Sequence, residues 1–168
     1  ADDIKDFQIE GMSIGDSLLK YMTEQEIKSS KRNYVKNKRF YIVGYNKNSE
    51  LYDTFDIYLK TGDKKFIIRT ISGTILIDYK NCLTKKKAIV NDVQKAFPLI
   101  KPVHAKTSHS FDKSGKSKQI QTAFLLKGKE MDDHIRIECT NWSKKYEKKG
   151  WGDNISVAVF SKEILQWF

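Results

Sequence analysis

Arginine is scarce in this chain. Only four of its 31 basic residues are arginine (Arg32, Arg39, Arg69 and Arg136), and the others are lysine. Guanidinium groups read phosphates and bases bidentately, whereas ammonium groups act as solvated point charges. The net charge of +10 therefore argues less for a nucleic-acid reader than its size suggests. Ile, Asn, Tyr and Phe are also abundant, and A/T-rich codons serve all of them, so the lysine excess has a compositional source as well as a functional one.

Cysteine is nearly absent, with Cys82 and Cys139 far apart and no C-x-x-C, which excludes a redox dithiol and a zinc knuckle. Two readings of the pair stay open on spacing alone: a disulfide in an oxidising compartment, or two buried thiols. Long apolar runs are missing too. Phe66-Ile67-Ile68 and Ala123-Phe124-Leu125-Leu126 are strand-sized, well short of the ~20 residues that span a bilayer. With three histidines the chain has little material for a metal centre. His104 and His109, five apart, read as strand-end residues rather than ligands, and no metal or cofactor is expected.

What is present makes a folded protein: 39% hydrophobic and 12% aromatic residues are too many for disorder. At 168 residues the chain can bury a core as a single domain, 1–168, or as two similar lobes, 1–80 and 81–168. Its first residues, Ala1-Asp2-Asp3, are what a signal peptidase leaves when it cuts behind a small residue. A periplasmic or secreted location is the expectation.

Near the start, Gly11-Met12-Ser13-Ile14-Gly15 has the G-x-S-x-G form of a hydrolase nucleophile elbow. That elbow needs a parallel sheet and an earlier loop for its oxyanion hole, and barely one strand of chain precedes Ser13. The order Ser13, Asp112, His134 supplies a triad on paper only. The expected role of Ser13 is to cap a helix entered from a short strand, Asp6-Phe7-Gln8-Ile9-Glu10, with both glycines relaxing the junction.

Apolar Ile14, Leu18, Leu19, Tyr21 and Met22 recur at helical intervals, and Thr23-Glu24-Gln25-Glu26 has the capping-box form that starts a second short helix carrying Ile27. Residues 28–38 read as a basic surface loop. Four strands follow: Phe40 to Tyr45, Tyr52 to Leu59, Phe66 to Ile71 and Thr74 to Ile77. The turns between them are expected at Asn46-Lys47-Asn48-Ser49, Thr61-Gly62-Asp63 and Ser72-Gly73. A helix from Leu83 to Phe97, closed by Pro98, carries Ile89, Val93, Ala96 and Phe97 on its packed side. Lys85, Lys86, Lys87, Asp92 and Lys95 are expected on a solvated side.

Further strands are expected over Lys101 to His109, Gln119 to Leu126, His134 to Cys139 and Ile155 to Phe160, with a polar turn at 110–117. The tail is expected to dock Trp167 and Phe168. The pattern predicts an α+β fold in which a helix followed by an antiparallel β-meander is used twice, with the helices packed on one face of the sheet. Gly115-Lys116-Ser117 ends like a P-loop but lacks its first glycine, which excludes a nucleotide site.

The loop between the last two strands is the candidate site. Trp142, Tyr146 and Trp151 interleave there with Lys144, Lys145, Lys148 and Lys149, which suits stacking on sugars or unpaired bases with charge attraction to an acidic chain.

The run from Asp6 to Leu19, the helix beginning near Cys82, the turn Asp112 to Ser117 and the strand end Cys139-x-x-Trp142 together resemble a family of uncharacterised exported proteins of small-genome marine bacteria. The resemblance implies export and a Cys82–Cys139 disulfide, and it supplies no catalytic residues. At the level of fold, a G-M-S entry followed by a meander, repeated, is similar to the small outer-membrane assembly lipoproteins and the β-lactamase inhibitor proteins, although their glycine-proline exit after the first helix is missing. Those families present a sheet face or loop to another protein. The expected function is thus a non-enzymatic binding module for a protein or cell-envelope component. The alternatives are a polyanion binder, for nucleic acid or acidic polysaccharide, that adds the Lys31 to Arg39 loop, and a small serine hydrolase using Ser13.

Overall fold

A computed structural model describes residues 3–33, 38–45, 49–127 and 132–165. In chain order its elements are α1 (Glu24–Ser29), β1 (Lys31–Asn33), β2 (Phe40–Gly44), β3 (Thr54–Lys60), β4 (Ile68–Leu76), α2 (Tyr79–Ala96), β5 (Val103–Ser108), β6 (Lys118–Leu125), β7 (His134–Asn141), α3 (Lys144–Glu147), β8 (Asn154–Phe160) and α4 (Lys162–Leu165). The fold is α+β, and among the described residues the strands form a single antiparallel sheet in the order β1-β2-β3-β4-β8-β7-β6-β5. Two four-strand runs thus meet where β4 pairs with β8.

The register aligns the core. Val43, Ile57, Ile71, Val159, Ile135 and Phe124 are successive partners across six strands, and all six are fully buried. Side chains alternate between the two faces of a strand, so this row fixes which face is apolar. Ile9, Met12, Leu18, Met22 and Ile27 from the N-terminal segment, and Cys82, Val93 and Phe97 from α2, belong to the same core. Burying each large aliphatic side chain contributes about 1.5–3 kcal/mol.

The N-terminal segment reaches that core without the expected helix. Of the expected helix only Leu18–Lys20 winds, into a 3-10 turn capped by Ser17, whose Oγ accepts from the Leu19 amide, and a further 3-10 turn, Ile4–Asp6, precedes it. Ser13 caps nothing. Its amide donates to Asp16 Oδ2 (3.2 Å), a carboxylate also bound by Tyr21 OH (2.9 Å) and Lys20 Nζ (2.7 Å). The expected leading strand shrinks to a tight turn: Ile9 and Met12 exchange both backbone hydrogen bonds, with Glu10 and Gly11 at positive φ between them. Gly15, Asp16 and Leu18 bond to the backbone of Phe66 and Ile68, so the segment lies as a strap along the start of β4. Apolar spacing that suits a helix also suits such a strap, and the sheet offers the strap backbone partners.

Local signals with unambiguous chemistry behave as expected. Thr23 Oγ1 accepts from the Glu26 amide while Glu26 accepts from the Thr23 amide, a complete capping box that starts α1. Asp78 caps α2 through the Asn81 amide (3.1 Å), so the helix begins at Tyr79, ahead of the expected Leu83. Lys86 corrects the expected solvated side. Four residues after Cys82 and on the same helix face, it is buried, and its Nζ donates to Thr122 Oγ1, which also meets His104 Nδ1 at 2.9 Å. Burial pushes the pKa of Lys86 down.

Two strand assignments change. Ser72-Gly73 is no turn: β4 runs unbroken from Ile68 to Leu76, and Gly73 sits mid-strand between Phe55 and Val157. A Cβ there would lie 2.4 Å from the Tyr52 ring, so glycine makes room for an aromatic lid. The fourth strand of the first run comes instead from the expected 28–38 loop, where Lys31, Arg32 and Asn33 pair with Val43, Ile42 and Tyr41. The turn at Asn46 to Asn48 and the docking of Trp167 and Phe168 lie outside the described residues.

The expectation that helices pack on one face is corrected by α4. Its Ile164 joins Phe40, Ala158 and Phe160, which alternate with the main core row and so lie on the opposite face. Arg69 and Lys60 hold its Glu163 (2.7 and 2.8 Å). His134 is buried on this face, its ring 4.9 Å from that of Phe160. Among the described residues no helix is long and apolar enough to cross a membrane.

Cys82 and Cys139 form a disulfide with Cα atoms 6.0 Å apart, both fully buried, tying α2 to β7. Closing this 57-residue separation is worth about 4 kcal/mol in the chain-entropy model. Denaturant unfolding of the Cys82→Ala/Cys139→Ala protein should show a loss of about 2–4 kcal/mol. Gly73→Val should also be strongly destabilising, because a side chain at this position meets the Tyr52 ring.

Burial lowers the pKa of His134 to about 4, with the nearby Arg136 charge adding to the effect and a hydrogen bond to the Asp132 carbonyl opposing it. The unfolded chain binds the proton more readily, so this histidine stabilises the fold fully above pH ~6.5, and the contribution is lost as pH falls toward 4. It amounts to about 3 kcal/mol at most. Thermal melts between pH 7 and 4 should show a smaller decline for His134→Gln than for the parent protein.

Candidate functional site

Two connections meet at one end of the sheet. The β5–β6 hairpin (residues 109–117) and the β7–β8 connection (142–153) are brought side by side because Lys118, at the start of β6, pairs with Asn141 at the end of β7. Asp112 fastens them together. Its carboxylate accepts from the Ser114 amide (3.0 Å) and Oγ (2.6 Å), from the Ser117 amide (2.9 Å) and Oγ (2.7 Å), and from Ser143 Oγ across the gap (3.0 Å). Ser117 Oγ accepts in turn from the Ser143 amide (3.0 Å). These donors, the Ser114 hydroxyl foremost, hold the pKa of Asp112 far below the usual carboxylate range. Gly115, at φ +71°, lets the hairpin turn inside this ring of donors.

Rings fill the space above the carboxylate. Trp142 is 6% exposed, with His109 at 4.3 Å, Trp151 at 4.7 Å and Tyr146 at 5.5 Å between centroids. Burial there pushes the pKa of His109 down, against the pull of Asp112. Tyr146 OH donates to the Phe111 carbonyl (2.8 Å), a further tie from connection to hairpin. The connection is itself regular. Ser143 leads into α3, the Trp151 amide bonds back to Tyr146 O and the Gly150 amide to Glu147 O, with Gly150 at φ +87°. This is a Schellman ending, and the Tyr146–Trp151 ring contact at 5.5 Å is its apolar clasp.

Of the expected site residues, Trp151 (41% exposed) and Lys144, Lys145, Lys148 and Lys149 reach solvent, while Trp142 supports them from beneath. Sequence reasoning missed Phe111, which is 60% exposed and 6.3 Å from Trp151, and Lys113 and Lys116 on the same hairpin. The signal was the spacing Asp112-x-Ser114-Gly115-x-Ser117, a carboxylate followed by the donors that wrap it. Among the described residues none of these six lysines forms an ion pair, and Lys149 Nζ lies 5.5 Å over the Tyr146 ring. A groove of about 510 Å³ runs between the hairpin and α3, with Lys116, Lys144, Lys145 and Trp142 in its walls.

Other expected groupings are not assembled. Asp112 sits beyond one end of β7 and His134 begins the other, about 23 Å away along the strand, so Ser13, Asp112 and His134 make no triad. Of the Lys31 to Arg39 stretch, Lys31–Asn33 form β1, which four strands separate from β7, so these residues do not extend the patch, and residues 34–37 lie outside the described residues. His104 and His109 engage Thr122 and Trp142 separately. Among the described residues no three His, Cys, Asp or Glu side chains cluster as a metal set.

Comparison of the chain with known protein families, curated proteins and solved structures finds no match.

Asp112→Asn removes a charged acceptor and substitutes an amide that cannot accept all five donors. The expected outcome is a lower melting temperature together with a red-shifted tryptophan emission, because Trp142 loses its enclosure. Ser143→Ala, which removes one donor, should show the same changes at smaller amplitude.

Proposed function

We propose that this protein is a non-enzymatic binding module of the periplasm or extracellular space that engages a protein or cell-envelope component through the 109–117 and 142–153 end of its sheet. The observation that carries this reading is the adjacent exposure of Phe111 and Trp151 on a base fastened by Asp112. Exposed aromatic rings that keep a fixed geometry lose little freedom when a partner covers them. The buried Cys82–Cys139 disulfide suits an oxidising compartment.

The resemblance to exported proteins, and at fold level to the assembly lipoproteins and the β-lactamase inhibitor proteins, favours a chain that presents loops and a sheet face rather than a reaction centre. In this reading two helix-plus-meander units share one sheet. The α1 and α2 side forms its support.

Affinity capture from a periplasmic and envelope extract tests the proposal. The wild-type protein should recover a reproducible component that Phe111→Ala/Trp151→Ala fails to recover, while circular dichroism shows that both proteins keep the same folded sheet, with any fall in melting temperature reflecting the lost Trp151 contacts to Trp142 and Tyr146. Recovery of nothing, or equal recovery by both proteins, contradicts it.

A further inference from the structure

We propose that the aromatic and lysine end binds an acidic glycan chain, with sugar rings stacking on Phe111 and Trp151 and anionic substituents meeting the lysines of the adjoining groove. This names the ligand class for the site above and rests on that reading.

Charge complementarity is the first argument. Lys116, Lys144 and Lys145 converge on the groove from two separate segments, and Glu147 is the one carboxylate in its walls. Asp112, beneath, is fully occupied by serine donors. The serine donors keep Asp112 ionised, so three lysines face two carboxylates, Glu147 and Asp112, and the groove keeps a net positive charge with none of its lysines in an ion pair among the described residues.

The kind of cation is the second argument. All the positive groups here are ammonium. Arg32, Arg69 and Arg136 are committed to ion pairs elsewhere, and Arg39 lies beyond β1. A site for a nucleic-acid backbone gains most from the guanidinium fork, whereas spaced carboxylate or sulfate groups are served by point charges. The rings are the third argument. Phe111, stacked on His109 at 5.4 Å, and Trp151 stand edge to face (72°) at 6.3 Å, so their exposed surfaces lie at an angle, suited to successive sugar rings of a bent chain rather than to a continuous base stack. The groove, about 510 Å³, has the size of a small-ligand cleft.

The test measures binding by tryptophan fluorescence and by retention on immobilised polymer. The probes are polygalacturonate (carboxylate), dextran sulfate (sulfate), neutral dextran and oligo-dT. At low salt one or both acidic glycans should bind, weakening at least about tenfold between 50 and 200 mM salt as counterion release requires. Neutral dextran should not bind, and oligo-dT should bind at least about tenfold more weakly, a difference of about 1.4 kcal/mol. The arm that binds identifies carboxylate or sulfate as the anionic group.

Two variants separate the contributions. Lys116→Ala/Lys144→Ala/Lys145→Ala should lower affinity and flatten the salt dependence. Phe111→Ala/Trp151→Ala should lower affinity and leave the salt slope unchanged, with retention on immobilised polymer as its readout. Lys80→Ala/Lys85→Ala/Lys87→Ala, which removes the same charge from the exposed side of α2, should bind as the parent protein does. Retention of neither acidic glycan overturns the proposal, as does oligo-dT binding as tightly as the glycans, which would assign nucleic acid. Equal losses in the groove and α2 lysine variants also overturn it, by showing attraction to net charge alone. If glycans fail while an envelope component is still captured in a Phe111- and Trp151-dependent way, the ligand class falls and the binding module stands. If both fail, the site itself is wrong.

Discussion

The ladder between β4 and β8 is the constraint on which the rest of this structure depends. Seven residue pairs join Thr70–Leu76 to Asn154–Phe160, and through them the strands that close each half of the chain become neighbours at the centre of one sheet. Without that ladder each half would present a raw edge to solvent. With it, Ile71 meets Val159 and the buried row runs from Val43 to Phe124. The ladder also decides where chemistry is placed. Once β8 lies against β4, β7, β6 and β5 must step outward in turn, so the β5–β6 hairpin and the β7–β8 connection emerge at one end of the sheet, 31 residues apart in sequence from Asp112 to Ser143.

At that end the local physics is a carboxylate and its donors. Loops rarely bury a charge, because an unpaired ion loses its hydration. Asp112 is buried yet supplied with five donors from three serines, and the charge becomes the fastening. Because the pKa of Asp112 is depressed, this contribution is complete above the ordinary carboxylate range, about pH 4, and declines only as the solution becomes more acidic than that. The apolar layer above it depends on the same fastening: Trp142 is covered by His109 from the hairpin and by Tyr146 and Trp151 from the connection. Phe111 and Trp151 are left outward-facing on a base that has little freedom to adjust.

Much of this was legible in the sequence where one residue type has one local use. The Thr23–Glu26 box, the alternating runs that became β2, β3 and β6 to β8, and Val93 and Phe97 on the packed side of α2 were readable because their partners lie a few residues away or repeat with a fixed period, whereas Ala96, expected on that side, is exposed. The loop carrying Trp142, Lys144 and Trp151 stood out by composition alone. What was not legible depends on partners distant in sequence. Gly73 reads as a turn glycine until Tyr52 is placed over it. Ser13 reads as a cap until the segment is seen bonded along β4. Lys86 reads as solvated until Thr122 and His104 are placed on the sheet face beneath α2. The hairpin half of the site was hidden for the same reason: Ser143, the residue that makes Asp112 a bridge, belongs to the other connection.

The central claim is that the hairpin and the connection form one pre-organised unit. Amide hydrogen exchange at Ser117 and Ser143, residue by residue, tests this most directly. Both amides donate to side chains of the Asp112 cluster rather than to any strand partner. In the native protein they should exchange at rates comparable to those of the β6 and β7 backbone, and both should accelerate together in Asp112→Asn while the strand amides keep their protection. Rapid exchange at Ser117 and Ser143 in the native protein would show two independent loops and contradict the account.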